Sequence, residues 1–204
     1  SPEIKRKNVG KALNNSSFTL LEQDLLEANL PKLLEGCEVI FHQAAQAGVR
    51  ASWGRSFETY TNNNVLVTQR LLEAAKNLPI KRFVFASSSS IYGDAENIPV
   101  TEKEPARPIS PYGVAKLAAE QYCQVFYDVY GLETVALRYF NVFGARQDPQ
   151  SMYAAVIPKF ITCLLNDESP TIYGDGEQTR DFTYIGNVIA GNLLAAEAPA
   201  KQVA

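Results

Sequence analysis

The chain has 204 residues, 46% of them hydrophobic, and a formal net charge of −3. This mildly acidic balance lacks the basic footprint of a nucleic-acid-binding protein, and the length fits one domain or one and a half. No apolar run approaches the roughly 20 residues that cross a bilayer, and Cys37, Cys123 and Cys163 show neither disulfide nor zinc spacing. We therefore expect a globular cytoplasmic protein with reduced thiols.

Predicted strands and helices alternate through the first two thirds of the chain. The polar, lysine-rich opening resembles a loop. Hydrophobic periodicity then predicts, in chain order, a strand over 18–24, a helix over 25–36, a strand over 39–45, a helix over 57–77, a strand over 81–89, a helix over 112–130 and a strand over 133–144. Three of these strands are almost continuously apolar, which is typical of strands covered on both faces.

The pattern changes after Gly144. We predict a helix over 154–167, a strand and turn over 171–176, a strand over 180–185 and a helix over 187–198. The whole alternation indicates an α/β fold with a doubly wound parallel sheet and a second, smaller α/β lobe. We place the boundary at residue 145, so that 1–145 forms the sheet domain and 146–204 the lobe. Ligands of such sheets bind at the carboxyl ends of the strands.

The single histidine, His42, ends the apolar segment "CEVIFH". One histidine excludes a histidine-rich metal site, and a serine–histidine triad would have to use this residue. Its place in an apolar strand favours packing and hydrogen bonding over catalysis. We predict no metal site.

Tyr112 and Lys116 stand four residues apart at the start of a predicted helix, so both project from one face. An ammonium close to a phenol favours the phenolate and lowers the phenol's pKa. The pair is therefore predicted to form a general base. However, a dinucleotide-binding sheet begins with a glycine-rich turn, and the chain contains no G-x-G-x-x-G motif.

Five segments in order, "NNNVLVT", "SSSSIYG", "SPYGVAK", "RYFNVFG" and "GDGEQTRDFTYI", resemble the extended short-chain dehydrogenase/reductase family, in particular its nucleotide-sugar epimerases. The resemblance runs from Phe18 to Ala198. It implies a Rossmann-like fold, NAD as cofactor and a UDP-sugar as substrate. Family members carry the glycine-rich turn before such a segment and more of the substrate lobe after it. We therefore expect a chain truncated at both ends, which by itself would bind NAD⁺ weakly.

The resemblance assigns catalysis to Ser88, Tyr112 and Lys116. Tyr112 would take the proton of the sugar 4-hydroxyl while C4 gives a hydride to NAD⁺, whose positive ring also favours the phenolate. Ser88 would hydrogen-bond the same oxygen. Lys116 would hold the nicotinamide ribose. The 4-keto sugar would turn over and be reduced on its opposite face, which inverts C4.

The resemblance also implies two sets of binding residues. The cofactor would contact Asp24, Leu25, Gln43, Ala44, Ala45, Asn64, Ser87, Tyr112, Lys116, Tyr139 and Val142. The substrate would contact Ser88, Ser89, Ser90, Tyr112, Asn141, Ala155, Val156, Tyr173 and Arg180.

Two signals for the sugar disagree. The segment from Arg138 to Phe160 resembles epimerases that accept UDP-N-acetylglucosamine as well as UDP-glucose, and we weight it more heavily because it is longer. "HQAAQAGVRASW" resembles UDP-glucuronate 4-epimerases and decarboxylases. A 4,6-dehydratase would need acidic residues where Ser89 and Ser90 stand. A non-catalytic dinucleotide-binding protein would typically lack the tyrosine or the lysine. We also expect a homodimer formed through the two long helices that flank the active site.

Overall fold

The computed structural model describes residues 2–95, 97–150 and 156–199. Its central sheet has three parallel strands in the order β1 (Val39–His42), β2 (Arg82–Ser88) and β3 (Thr134–Tyr139). The register places Ile40 beside Phe83 and Val84 beside Val135. Helices connect these strands, so the predicted α/β fold with a parallel sheet is confirmed.

Seven α-helices lie among the described residues: α1 (Pro2–Val9), α2 (Leu30–Leu33), α3 (Phe57–Tyr60), α4 (Val67–Ala75), α5 (Pro111–Tyr130), α6 (Val156–Leu165) and α7 (Ile185–Glu197). The predicted long helix between β1 and β2 is α3 and α4, joined by a π-helical segment over Thr61–Leu66. Helix α5 makes the crossover from β2 to β3. A second sheet contains β4 (Asn141–Phe143) and β5 (Phe182–Tyr184), which pair in parallel.

Local signals fix both ends of α5. The Ser110 hydroxyl caps its first turn by accepting a hydrogen bond from the Gly113 amide at 3.1 Å, and Pro111 occupies the first helical position. Gly131 ends the helix with a φ of 69°, a left-handed conformation that glycine adopts without steric cost. The predicted start and end of this helix are therefore confirmed.

Both faces of the central sheet are covered. On one face Phe83 and Phe85 belong to the main core with α2, α4 and α5. On the other face Val84 and Val135 pack against Ala195 of α7. This two-sided burial explains why the strands are almost continuously apolar.

Four local predictions were wrong. Residues 2–9 form α1 instead of a loop, because Glu3 in the first turn and Arg6 and Lys7 in the last turn suit the helix dipole. Residues 18–24 form no strand, since a strand needs a paired neighbour and the described residues provide none for this segment. The helix over 25–36 shrinks to α2, because Asn29 starts it with a new N-cap. Residues 171–173 are not a strand, although the turn after them is present.

The predicted strand over 133–144 is divided between the two sheets. It breaks at Phe140, after which β4 pairs with β5. Helix α7, which the sequence assigned to the second lobe, packs on β2 and β3 of the central sheet. Helix α7 also contacts β4 and β5 of the second sheet, and the domain boundary at residue 145 stays a prediction.

Within the described residues, no helix is both long enough and apolar enough to cross a membrane.

Candidate active site

Tyr112 and Ser88 meet at the carboxyl end of β2. Ser88 is the last residue of that strand, and Tyr112 lies in the first turn of α5. The Ser88 hydroxyl lowers the pKa of the Tyr112 phenol as a hydrogen-bond partner, so the two side chains lie close together. The Ser88 hydroxyl also accepts a hydrogen bond from the Ser90 amide at 3.2 Å, which starts the 3-10 turn Ser89–Ile91. The structure thus brings together the serine and tyrosine that the sequence proposed as catalytic.

Gly113 allows this approach of α5 to β2. A Cβ atom at position 113 would lie 2.5 Å from the Ser90 carbonyl oxygen and 2.9 Å from Pro108 Cβ. Contacts this short are essentially never found for real Cβ atoms, so a larger residue would push Tyr112 away from the turn that follows Ser88. The glycine after Tyr112 therefore belongs to the site.

Lys116 lies one turn further along α5 and is 3% exposed. Its ammonium donates a hydrogen bond to the Ala86 carbonyl oxygen at 2.7 Å and lies 4.9 Å from the centre of the Phe85 ring. Burial lowers the pKa of Lys116 to about 8, against a smaller opposing effect of Cys123. The side chain is thus held against β2, two residues before the end of the strand, and its contact with a ribose stays a prediction.

The predicted effect of Lys116 on Tyr112 is corrected by the structure. Burial raises the pKa of the Tyr112 phenol, and the hydrogen bond from Ser88 opposes this rise. The edge of the Tyr60 ring packs against Tyr112, with ring centres 6.2 Å apart. Desolvation disfavours the phenolate more than the spacing on the helix suggested, because the sequence pattern shows neighbours but not burial.

Asn64 holds the loop that follows β1. Its side chain is 1% exposed, accepts a hydrogen bond from the Gln46 amide at 2.7 Å and donates one to the Gln46 carbonyl at 3.0 Å. The Tyr60 hydroxyl donates to the carbonyls of Ala47 and Gly48, at 2.8 and 2.7 Å. Both residues lie in or beside the π-helical segment, a feature frequent at functional sites. The Asn64 side chain is therefore committed to this loop, and its contact with a cofactor stays a prediction.

Gln43 and Tyr139 are also brought together. The Gln43 amide donates hydrogen bonds to the Tyr139 hydroxyl at 3.3 Å and to Asn192 of α7 at 3.0 Å, and Asn192 donates to the same hydroxyl at 2.6 Å. Ala44 and Ala45 follow Gln43 with exposed backbone and small side chains. This edge could therefore admit the close approach of an extended ligand.

Asp24 and Leu25 lie in the segment before α2. Asp24 lines a cavity of about 660 Å³ between residues 21 and 33. Its carboxylate accepts a hydrogen bond from the Leu26 amide at 2.8 Å, and Leu25 packs against the main core. The pocket keeps Asp24 exposed, whereas Leu25 contributes mainly packing.

The Ser87 side chain is directed toward α5. Ser87 is 3% exposed, and its hydroxyl donates a hydrogen bond to the Glu120 carboxylate at 2.7 Å. The contact of Ser87 with a cofactor stays a prediction.

The predicted substrate residues are dispersed. Ser89 and Ser90 are partly buried in the 3-10 turn beside Tyr112. Asn141 donates through its side chain to the Asp181 carbonyl at 2.9 Å, which places β4 next to Arg180. Val156, Tyr173 and Arg180 are exposed, and Ala155 lies outside the described residues. Val142, which the resemblance assigned to the cofactor, is partly exposed. Arg180 donates to its neighbour Thr179, and Tyr173 is 88% exposed.

His42 has the structural role that the sequence favoured. It is 3% exposed and its Nε2 atom is hydrogen-bonded to the Thr68 hydroxyl at 2.9 Å. Burial, with a smaller effect of Lys116, lowers its pKa to about 4. The described residues contain no cluster of histidine, cysteine and carboxylate side chains that could hold a metal ion.

Sequence reasoning missed several residues of the site. Tyr60 and Gln46 support Asn64 and its loop, and Asn192 joins Gln43 to Tyr139. Their partners lie 12 to 149 residues away along the chain, so spacing alone offers no signal for them. Glu120 did carry a signal, because it continues the helix face of Tyr112 and Lys116 by another turn.

The residues present fit a nicotinamide dinucleotide. The small residues at the end of β1 and the Lys116 ammonium bound to the Ala86 carbonyl of β2 lie near the carboxyl ends of parallel strands, where such cofactors bind, and Asp24 lines an exposed pocket.

Comparisons with known proteins agree with this arrangement. The protein is 44% identical over 188 residues to the uncharacterized UDP-glucose epimerase YtcB of Bacillus subtilis, which covers 92% of this chain and 58% of that protein. It superimposes with a TM-score of 0.89 and 42% identity on UDP-glucuronic acid 4-epimerase from Bacillus cereus, solved with UDP-glucuronic acid and NAD, over 97% of this chain and 61% of that one.

A second solved structure, UDP-N-acetylglucosamine 4-epimerase from Methanobrevibacter ruminantium M1, has a TM-score of 0.87 and 48% identity over 90% of this chain and 59% of that chain. dTDP-D-glucose 4,6-dehydratases are also relatives, the human protein at 33% identity over 190 residues. The chain spans about three fifths of the length of the epimerases named above. The sequence model of the NAD dependent epimerase/dehydratase family matches residues 3–204, and the chain therefore belongs to that family.

Proposed function

We propose that the protein is an NAD-dependent 4-epimerase of a UDP-hexose. The observation that carries this proposal is the position of Ser88 at the end of β2 beside Tyr112 in the first turn of α5, with the buried Lys116 one helical turn away. A phenol and a hydroxyl that lie side by side can both form a hydrogen bond with the oxygen of one sugar hydroxyl. The family and the similarity to solved epimerases support the same reaction.

In this reaction Tyr112 removes the proton of the sugar 4-hydroxyl, and Ser88 hydrogen-bonds the same oxygen. When bound, NAD⁺ supplies the acceptor for the C4 hydride and a positive charge beside the phenol. Because burial raises the pKa of Tyr112, the base depends on positive charge beside it to work near neutral pH. Tyr112 returns its proton to the 4-oxygen when the turned 4-keto sugar receives the hydride on its other face.

Tyr112→Phe tests this role in the complete protein. We expect turnover to fall by about 10²-fold or more, with little change in UDP-sugar binding, since the phenyl ring keeps the packing but cannot carry the proton. Tyr127→Phe, a partly exposed tyrosine on the same helix, is the matched control and should keep normal turnover. Near-normal turnover of Tyr112→Phe would refute the assignment.

Ser89 and Ser90 distinguish the proposed epimerase from a 4,6-dehydratase. A 4,6-elimination needs a carboxylate to remove the C5 proton and an acid to protonate the leaving oxygen, and hydroxyls at these positions supply neither at neutral pH. In deuterated water we expect C4 epimers without deuterium at C5, resolved by NMR. Deuterium at C5 or a 4-keto-6-deoxy product would favour the dehydratase reaction. The human dTDP-D-glucose 4,6-dehydratase is 33% identical to the chain.

For the sugar, we propose UDP-N-acetylglucosamine and UDP-glucose as substrates, on the segment around β4 and the similarity to the Methanobrevibacter enzyme. UDP-glucuronate is the second candidate, and the similarity to the Bacillus cereus enzyme favours it. These two candidate preferences are distinguished by comparing kcat/KM for the three UDP-sugars, each offered at equal concentration.

We further propose that the protein forms a homodimer. Helix α5 exposes an apolar face in which the side chains of Val114, Tyr122, Val125 and Val129 are between 39% and 65% exposed. Exposed apolar patches of this kind mark interfaces. Light scattering should show a dimer for the wild type and a monomer for Val125→Glu. A monomeric wild type would exclude the dimer.

A further inference from the structure

Three successive turns of α5 contact β2 through polar side chains. Ser88 lowers the pKa of the Tyr112 phenol as a hydrogen-bond partner, and Lys116 donates to the Ala86 carbonyl at 2.7 Å. Glu120 accepts a hydrogen bond from the Ser87 hydroxyl at 2.7 Å. The spacing of four residues places all three side chains on one helix face. The proposed reaction uses the first two contacts and leaves the third unexplained.

The third contact is built around an ion pair that is largely removed from solvent, with the Arg138 side chain 22% exposed. The Glu120 side chain is 11% exposed, and Arg138 of β3 donates to its carboxylate through Nε at 3.1 Å and through Nη2. These hydrogen bonds raise the pKa of the Arg138 guanidinium. Removing two charges from water is costly even when they are paired, and paired charges of this kind are best justified by geometry that they impose.

Arg138 extends the network to the turn after Ser88. Its Nη1 atom donates to the Tyr92 hydroxyl at 2.8 Å and to the Glu102 carbonyl at 3.2 Å, and its guanidinium lies 5.0 Å from the centre of the Tyr92 ring. Tyr92 directly follows the turn that contains Ser89 and Ser90. In the sheet, Ser87 pairs with Arg138 and Ser88 with Tyr139.

We infer that Glu120 is a positioning residue of the active site, which fixes α5 against the end of β2 so that Tyr112 meets Ser88. The inference rests on the proposed function of Tyr112 and Ser88. Glu120 belongs to α5, and its carboxylate contacts β2 through Ser87 and β3 through Arg138. Arg138 in turn contacts Tyr92, which follows the turn Ser89–Ile91. Loss of its charge leaves Arg138 without its carboxylate partner inside this junction and frees the ends of β2 and β3 to shift.

The expected consequence concerns the Ser88–Tyr112 hydrogen bond. That bond is the feature that favours the phenolate, whereas burial opposes it. Two other groups lie near the phenol. Tyr60 of α3 packs against it by its ring edge, and Lys116 lies on the same helix face. The charge of Lys116 also lowers the pKa of His42 in β1. None of these contacts Glu120 directly through a hydrogen bond in the structure described. A shift of α5 should therefore move the acidic limb of the kcat profile to higher pH.

The test compares Glu120→Gln with Glu133→Gln in the complete protein. Glu133 pairs with Arg82 at 3.3 Å, with side chains 32% and 7% exposed, at the opposite end of the same two strands. Both variants lose one buried or partly buried ion pair and should lower the melting temperature. We expect only Glu120→Gln to lower kcat by about tenfold, as a displacement of a fraction of an ångström does. It should also shift the acidic limb upward, with KM for the UDP-sugar little changed.

Ser87→Ala provides a second variant that keeps the ion pair and removes only the contact with β2. It should shift the acidic limb in the same direction by a smaller amount, and it decides the matter if Glu120→Gln does not fold. The inference is overturned if Ser87→Ala leaves kcat and the limb unchanged, or if Glu120→Gln affects both no more than Glu133→Gln does. Tyr112→Phe in the same series separates the two claims, because normal turnover there would refute the proposed function itself.

Discussion

Replacement of Gly113 by alanine tests how closely α5 must approach the end of β2. The new Cβ atom would lie 2.5 Å from the Ser90 carbonyl oxygen, 2.9 Å from Pro108 Cβ and 3.3 Å from the Ser110 hydroxyl. Two of these three neighbours are backbone or proline atoms that cannot rotate away. The start of the helix, with Tyr112, must therefore move.

The size of the effect follows from these distances. Restoring ordinary van der Waals separation requires a shift of roughly 1 Å. Overpacking of this kind costs about 1–3 kcal/mol, while alanine in place of glycine within a helix stabilises by up to about 1 kcal/mol. The net change should be a loss of stability. A misplacement of about 1 Å at a catalytic group lowers the rate by on the order of 10²-fold.

Gly131→Ala at the other end of α5 is the matched control. Gly131 has a φ of 69°, and a Cβ atom added there would meet no other atom within 4 Å, so alanine costs about 1–2 kcal/mol of backbone strain without a collision. Thermal unfolding and 4-epimerase turnover should show both variants destabilised, but only Gly113→Ala slowed. Normal turnover and raised stability of Gly113→Ala would show that the site tolerates a wider spacing.

Two further predictions concern pH. Burial lowers the pKa of Lys116 from 10.5 to about 8, so on raising the pH the folded state loses this proton before the unfolded state does. The free energy of unfolding should therefore rise between pH 8 and 10.5, by on the order of 3 kcal/mol relative to Lys116→Met. Equal slopes of the two stability curves against pH would contradict this prediction. His42 is the single histidine, so its ring protons can be followed directly by NMR; the midpoint should lie near 4, and an ordinary midpoint near 6.5 would contradict the burial of its ring.

The sequence predicted most clearly those features that depend on local patterns. Apolar strands, the Ser110 cap and the terminal Gly131 located the sheet and α5 because each acts within a few residues. The pair of Tyr112 and Lys116 was visible for the same reason. The strand over 18–24 failed because strand formation depends on a neighbour, which periodicity cannot supply.

The parts of the site that the sequence could not predict depend on tertiary contacts. Gln43 meets Asn192 across 149 residues, and Glu120 meets Arg138 across two elements. The commitment of the Ser87 hydroxyl to Glu120 likewise depends on how α5 lies on β2. A strand-end serine beside a catalytic one looks the same in sequence whether it faces a ligand or a helix.

Burial links the electrostatics of Tyr112 and Lys116. It raises the pKa of the phenol and lowers that of the ammonium, so in both groups it favours the neutral form. A charge on one group is then worth more to the other than it would be in water, because the surrounding dielectric constant is low. The Ser88 hydroxyl and the Ala86 carbonyl hold the two groups in place and each favours a charged form. The phenol of Tyr112 is thus kept neutral by its surroundings, whereas Lys116 remains mostly charged below pH 8, and a reactive phenolate forms most readily when a further positive charge is brought beside it.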